Sequence, residues 1–161
     1  ISFAYFSLFF SQVMVTLAIQ RVGGSCFIKF FEGATKATID IVKAMHLFYE
    51  RVEVTKPRTS RGSNSERYIV CNGFHHNDDA MQAFYNIYDK LLDNSYLSAV
   101  VDEDLTPSDL RPFEELAEQQ IKCIELLITS IESKNFDKIV AERKEDEKIV
   151  LKMLQQQLEK S

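Results

Sequence analysis

Residues 25–31, SCFIKFF, are apolar at both even and odd positions apart from Ser25 and Lys29. A strand apolar on both faces belongs in the middle of a sheet covered by helices, which points to a layered α/β design. The flanking segments fit that design. Residues 3–20 read as a helix that ends at Arg21, where Gly23 and Gly24 give a helix stop and a tight turn. Residues 35–49 (TKATIDIVKAMHLFY) place Ile39, Val42, Met45 and Tyr49 on one helical face. In residues 51–55 (RVEVT), Val52 and Val54 alternate with Arg51, Glu53 and Thr55, as in a half-exposed strand at a sheet edge. Pro57 stops that strand, a polar loop (RTSRGSNS) follows, and residues 66–73 (ERYIVCNG) form another strand.

Strand–helix–strand is a parallel crossover unit. The last two strands, joined by a loop of about ten residues, pair antiparallel as a long hairpin. The expectation is an α/β sheet with one reversed strand, 66–72 lying between 25–31 and 51–55 and antiparallel to both. The opening stretch, ISFAYFSLFFSQVMVTLAIQR, is about the ~20 residues that a bilayer requires. Ser2, Ser7, Ser11, Gln12 and Thr16 interrupt it and no basic region precedes it, so a helix packed on the sheet is favoured over a membrane anchor.

From Asn77 the character changes. Asp78 and Asp79 favour the start of a helix carrying Met81, Phe84, Tyr85, Tyr88, Leu91 and Leu92 at helical spacing. After a connection with an acidic run, Asp102-Glu103-Asp104, a second helix is expected from Pro112 and a third from Phe136. The division expected is a sheet-bearing region, 1–76, and a helical C-terminal extension, 77–161, whose apolar stripes serve core packing or a protein partner.

The 161 residues suffice for one core, or for half of a larger domain with an appendage. With 45% hydrophobic residues and only 5 Gly and 3 Pro, the chain is not disordered. Its first residue is Ile rather than Met, so continuation upstream is expected. The net charge of −5 is unevenly spread. Residues 1–76 hold nine Lys and Arg against five Asp and Glu, net +4; residues 77–161 hold ten against nineteen, net −9. A basic segment fits a local anionic partner better than the total does. Cys26, Cys71 and Cys123 show no zinc-ligand spacing, and no metal site or disulfide framework is expected. Cys26 and Cys71 lie in apolar runs and read as buried thiols, in keeping with a reducing compartment, nucleus or cytoplasm, and not secretion.

Lys29 is the residue most in need of an explanation. Burying an ammonium among Cys26, Phe27, Ile28, Phe30 and Phe31 is costly unless it is paired. Alone, it would read as an edge lysine that snorkels or guards against aggregation. Glu66, however, opens the strand ERYIVC. With that strand antiparallel to SCFIKFF, the two side chains meet at the carboxyl edge, where open α/β sheets bind ligands.

The run GGSCFIKFFEG followed by KPRTSRGSNSERYIV resembles the C-terminal half of FtsJ-like RNA 2′-O-methyltransferases. In that family a Gly-Gly turn leads into a strand with a catalytic Lys, and a Lys-Pro-x-x-Ser-Arg segment precedes Ser-Glu and an apolar strand with Tyr. Lys56, Pro57, Ser60, Arg61, Ser65, Glu66, Tyr68 and Val70 fall at matching positions, and the resemblance covers residues 1–74. Asn64 to Tyr68 is closer to the messenger-RNA cap-1 branch than to the bacterial ribosomal-RNA branch. The resemblance implies the C-terminal half of a Rossmann-like sheet that uses S-adenosylmethionine to methylate a ribose 2′-hydroxyl. It also implies a Lys-Asp-Lys-Glu tetrad in which Lys29 is the second Lys and Glu66 the Glu. A desolvated lysine acts as base or steers the hydroxyl while the carboxylate orients it, and much of the rate comes from placement. The first Lys, the Asp and the Gly-rich cofactor loop are expected upstream of Ile1, so this chain alone is expected to be inactive.

Arg58 and Arg61, flanked by Lys56 and Arg67, are candidates for holding RNA phosphates, against the alternative of a solvated hairpin loop. His75-His76 before Asp78-Asp79 reads as a turn and helix start rather than a metal site. Two functions follow: the C-terminal part of a cap-type RNA 2′-O-methyltransferase acting on capped mRNA, or a non-catalytic RNA-binding or scaffold subunit built on a partial methyltransferase fold.

Overall fold

A left-handed turn at Gly23 (φ 73°) separates helix α1 (Phe3–Ile19) from strand β1 (Cys26–Phe31). Its N–H donates to Phe74 O at 2.7 Å, and Phe74 N–H donates back to Gly24 O at 3.0 Å, tying this turn to the end of a second strand. The computed structural model describes residues 3–31, 35–92, 100, 104–133 and 136–158. Of the acidic run expected between the helices, Asp102 and Glu103 lie outside the described residues. After β1 come α2 (Lys36–Ala44), a 3-10 turn (Met45–Leu47), β2 (Tyr49–Thr55), β3 (Glu66–Phe74), α3 (Asp78–Leu92), α4 (Pro107–Glu132) and α5 (Asp137–Leu158). The chain divides into two compact units, residues 1–55 with 66–114 and residues 56–65 with 115–161.

The first unit is a mixed α/β structure with a three-stranded sheet in the order β1-β3-β2. β3 is antiparallel to both neighbours. The expected reversed strand in the middle is therefore present. The expectation that β1 is central is corrected: it is an edge strand of this sheet, with Ile28 and Phe30 buried but Phe27 76% and Phe31 38% exposed. Because all its residues but one are apolar, the period-two signal that separates an inner from an outer face is absent from its sequence. Tyr49, assigned from its spacing to the helix before it, instead opens β2.

Ile28, Phe30, Ile69, Cys71, Val52 and Val54 form the inner side of the sheet, which packs into one core with α1. Phe9 of α1 meets Phe30 with ring centres 5.6 Å apart, and Phe10 stacks on Phe84 of α3 at 5.5 Å. Phe113, near the start of α4, meets Phe30 edge-on at 6.4 Å. Helix α3, expected in a separate extension, is thus part of the sheet-bearing core. Asn77 caps it, its Oδ1 accepting from Ala80 N–H at 3.1 Å, which accounts for the adjacent histidines and aspartates as a turn and helix start.

Helix α4 begins earlier than Pro112. Thr106 N–H donates to Asp109 Oδ2 at 2.9 Å, and Asp109 N–H donates to Thr106 Oγ1 at 3.4 Å. This reciprocal cap puts Pro107 in the first helical position, where its missing N–H costs nothing, and leaves Pro112 inside the helix. No helix among the described residues is long and apolar enough to cross a membrane.

In the second unit, Gln120 Nε2 donates to Ser63 O at 3.2 Å, holding loop 56–65 to α4. A Cβ at Gly62 would lie 2.4 Å from Cys123 Sγ, so the close approach of loop and helix requires glycine.

Candidate active site

Register sets the geometry of the pair read from the sequence. Lys29 lies opposite Tyr68 and Phe31 opposite Glu66. All four side chains share the outer face of the sheet, with Lys29 and Glu66 diagonal neighbours at the carboxyl end of β1. Lys29 Nζ is 3.4 Å from Glu66 Oε2 and 5.0 Å from the centre of the Phe31 ring. The Tyr68 hydroxyl donates to Glu66 Oε1. Phe31 N–H, at the end of this edge strand, donates to the Tyr5 hydroxyl, which ties β1 to α1 beside the pair.

The environment differs from the one expected. The Lys29 side chain is 46% exposed and that of Glu66 17%, so the lysine is not desolvated. It lies on the outer side of an edge strand, where its stem runs beside Phe31 and its ammonium reaches both water and a carboxylate. Sequence reasoning passed over Tyr68 as a site residue, although it stands two positions after Glu66 on the same face of a strand. The hydrogen bond to Glu66, then burial and the Glu66 charge, hold the Tyr68 phenol above its usual range, which keeps it a donor at neutral pH. Lys29 and Tyr68 thus fix both oxygens of one carboxylate. Leu8, Gln12 and Val15 of α1, with Phe27, Lys29 and Tyr68, line a groove of about 650 Å³ beside the pair.

The four basic residues proposed for RNA have different surroundings. In the second unit, Lys56 Nζ donates to Asn64 O at 2.7 Å and to Asn64 Oδ1 at 2.6 Å, which closes its own loop. Arg58 forms an ion pair with Asp146 of α5 at 3.2 Å. Arg61 is exposed. In the first unit, Arg67 is only 6% exposed. It lies opposite Phe30 on the inner side of the sheet, the face away from Glu66, and burial pulls its guanidinium pKa down. Arg67 therefore departs from the solvent-facing basic cluster expected of it, because strand alternation turns it inward. No group of three or more His, Cys, Asp or Glu able to hold a metal exists among the described residues.

Residues 2–74 match the family model for FtsJ-like methyltransferases. Among curated proteins, cap-specific mRNA (nucleoside-2′-O-)-methyltransferase 1 of Caenorhabditis elegans is 42% identical over 66 residues, 41% of this chain and 7% of the relative. Its Danio rerio namesake is 37% identical over 73 residues, 45% of this chain and 9% of the relative. A Caenorhabditis briggsae protein named as an inactive cap-specific mRNA (nucleoside-2′-O-)-methyltransferase 1B is 36% identical over 66 residues, 41% of this chain and 8% of the relative. The chain spans less than a tenth of the length of these three relatives. The matched stretch contains both linked motifs, from the Gly23-Gly24 turn to the end of β3, and residues 2–74 of this chain are similar to the FtsJ-like methyltransferase family.

Proposed function

We propose that this chain is part of an S-adenosylmethionine-dependent RNA ribose 2′-O-methyltransferase acting on capped mRNA, and that Lys29 and Glu66 belong to its catalytic set. The observation that carries the proposal is the 3.4 Å approach of Lys29 Nζ to Glu66 Oε2 at the carboxyl end of β1, within the family segment. In the full protein this sheet would be one side of a Rossmann-like domain, and the apolar stripes of α4 and α5 would serve a protein partner.

A ribose 2′-hydroxyl placed over the outer face would accept a hydrogen bond from the Lys29 ammonium and donate one to the Glu66 carboxylate. That fixes the oxygen lone pair in one direction and gives the departing proton an acceptor. Tyr68 keeps the carboxylate from rotating. The methyl donor implied by the family is S-adenosylmethionine, which would supply the methyl group as an activated sulfonium.

Transfer of labelled methyl from S-adenosylmethionine to capped and uncapped RNA by the full-length protein tests the reading, with nuclease mapping of the modified ribose. The expected product is 2′-O-methylation near the cap, and more of it on capped RNA. The second reading, a non-catalytic RNA-binding or scaffold subunit, is favoured by the similarity to a relative whose name marks it inactive. Binding of capped RNA without methyl transfer would establish it.

A further inference from the structure

Away from Lys29 and Glu66, at the other end of β1, two cysteines face each other across the sheet. Cys26 of β1 and Cys71 of β3 are direct partners in the antiparallel ladder. Residues so placed have Cα atoms about 4.5–5.5 Å apart. A disulfide needs about 4.4–6.8 Å. Both thiols are free, Cys71 fully buried and Cys26 half-buried. Cys26 Sγ also lies 3.2 Å from the hydroxyl of Tyr49 on β2, so the thiol of this half-buried residue is flanked by a second thiol and a phenol.

The geometry points to a peroxide-oxidisable dithiol at this end of the sheet, in which Cys26 is the attacking thiol and Cys71 resolves it to a cross-strand disulfide. The Cys26 thiolate sulfur attacks one oxygen of hydrogen peroxide, and the O–O bond breaks. The hydroxide released takes up the proton Cys26 had lost, giving water and a sulfenic acid on Cys26. The Cys71 sulfur then attacks the Cys26 sulfur. The S–S bond forms, the S–O bond breaks, and the hydroxyl leaves as water with the Cys71 proton. Two thiols and one peroxide give one disulfide and two waters, the two electrons passing from sulfur to the peroxide.

Electrostatics favours these roles. Hydrogen bonding from Cys71, assisted by Tyr49, holds the Cys26 thiol down to about 6 against the burial that would raise it. The bond to Cys26 and then burial push Cys71 up, so it remains a thiol until Cys26 is oxidised. A low-pKa, accessible cysteine beside a resolving cysteine is the arrangement that oxidises reversibly. In a reducing compartment such a bond would be transient. While present it would lock the register of the strands that carry Lys29 and Glu66.

The test treats the folded protein with hydrogen peroxide, alkylates remaining thiols and maps peptides by mass. The expected result is a peptide pair linked through Cys26 and Cys71, lost on dithiothreitol treatment. Cys123→Ser should leave the link intact. Cys71→Ser should halt oxidation at a dimedone-reactive sulfenic acid on Cys26. Because Cys71 is buried, Cys26→Ser is the companion variant, and it should abolish the link and leave Cys71 alkylatable only after unfolding. Free Cys26 and Cys71 after peroxide, sulfinic acid on Cys26 beside an unlinked Cys71, or a link to Cys123 would each overturn the inference.

Discussion

Phe10→Ala probes whether α3 is part of the sheet-bearing core or an appendage to it. Phe10 is 0% exposed and stacks on Phe84 at 5.5 Å with 16° between the rings, and it also meets Phe6 at 6.3 Å and Tyr88 at 6.5 Å. Truncation to a methyl removes roughly 100 Å² of buried apolar surface, about 2.5 kcal/mol at ~25 cal/mol per Å². If the site collapses partway, a void of ~50 Å³ adds about 1.2 kcal/mol at ~24 cal/mol per Å³. The expected loss, about 3.7 kcal/mol, falls within the ~3–5 kcal/mol range for buried Phe→Ala changes. Phe84→Ala should cost a similar amount. The double variant should cost less than the sum, by about 0.5–1.5 kcal/mol for the stacked pair beyond its area. Urea unfolding followed by circular dichroism measures all four proteins of the cycle. Single losses under ~1 kcal/mol, or additive behaviour with no coupling beyond ~0.3–0.5 kcal/mol, would refute the packing of α3 against α1.

Four further outcomes follow from the basic residues, Asp146 and α4. Arg67→Met should leave thermal stability equal or raise it, because a guanidinium only 6% exposed is replaced by an apolar side chain of similar length, and it should leave RNA affinity unchanged. A marked loss of RNA affinity in a stable Arg67→Met protein would return that residue to the interface. Replacing Arg58 and Arg61 with Ala should weaken RNA binding and reduce the salt dependence by roughly one unit of slope per lost phosphate contact. Asp146→Ala, which releases Arg58 from its ion pair, should strengthen binding, and an unchanged slope in every variant would assign the loop to solvent. Thr106→Ala should destabilise the start of α4 by about 1 kcal/mol in thermal unfolding, whereas no loss would place the cap elsewhere.

Loop lengths and linked motifs made the strand order legible. A connection of about ten residues between 51–55 and 66–72 suited a long hairpin, and bringing Lys29 to Glu66 required β3 to run beside β1. The surroundings of Lys29 were not legible. In CFIKFF every residue but one is apolar, so nothing in the pattern says that Ile28 and Phe30 face the core while Phe27 and Phe31 face outward. Arg67 was misread for a related reason. A charge next to a polar loop looks solvent-facing, yet position 67 has the same parity as Ile69 and Cys71 and turns inward with them. Pro112 stood out as a helix start, but Thr106-Pro107-Ser108-Asp109 held the complete capping signal five residues earlier. Tyr68 was visible only as part of a motif. Its role at Glu66 depends on strand pairing that brings Lys29 to the other carboxylate oxygen.

Lys29→Met in the full-length protein separates a catalytic lysine from a structural one, because the two roles predict effects of very different size. The substitution keeps most of the stem and removes one half-exposed ion pair and a contact with Phe31, together worth about 0.5–1.5 kcal/mol. The thermal midpoint should therefore move by no more than ~2–6 °C. Single-turnover transfer of labelled methyl to capped RNA should fall by at least ~10²-fold, as expected when the group that orients the reacting hydroxyl is lost. Binding of S-adenosylmethionine should change little. A large loss of transfer in a folded protein that still binds the donor is the predicted result; a folded Lys29→Met protein with near-normal turnover would contradict the catalytic role of Lys29.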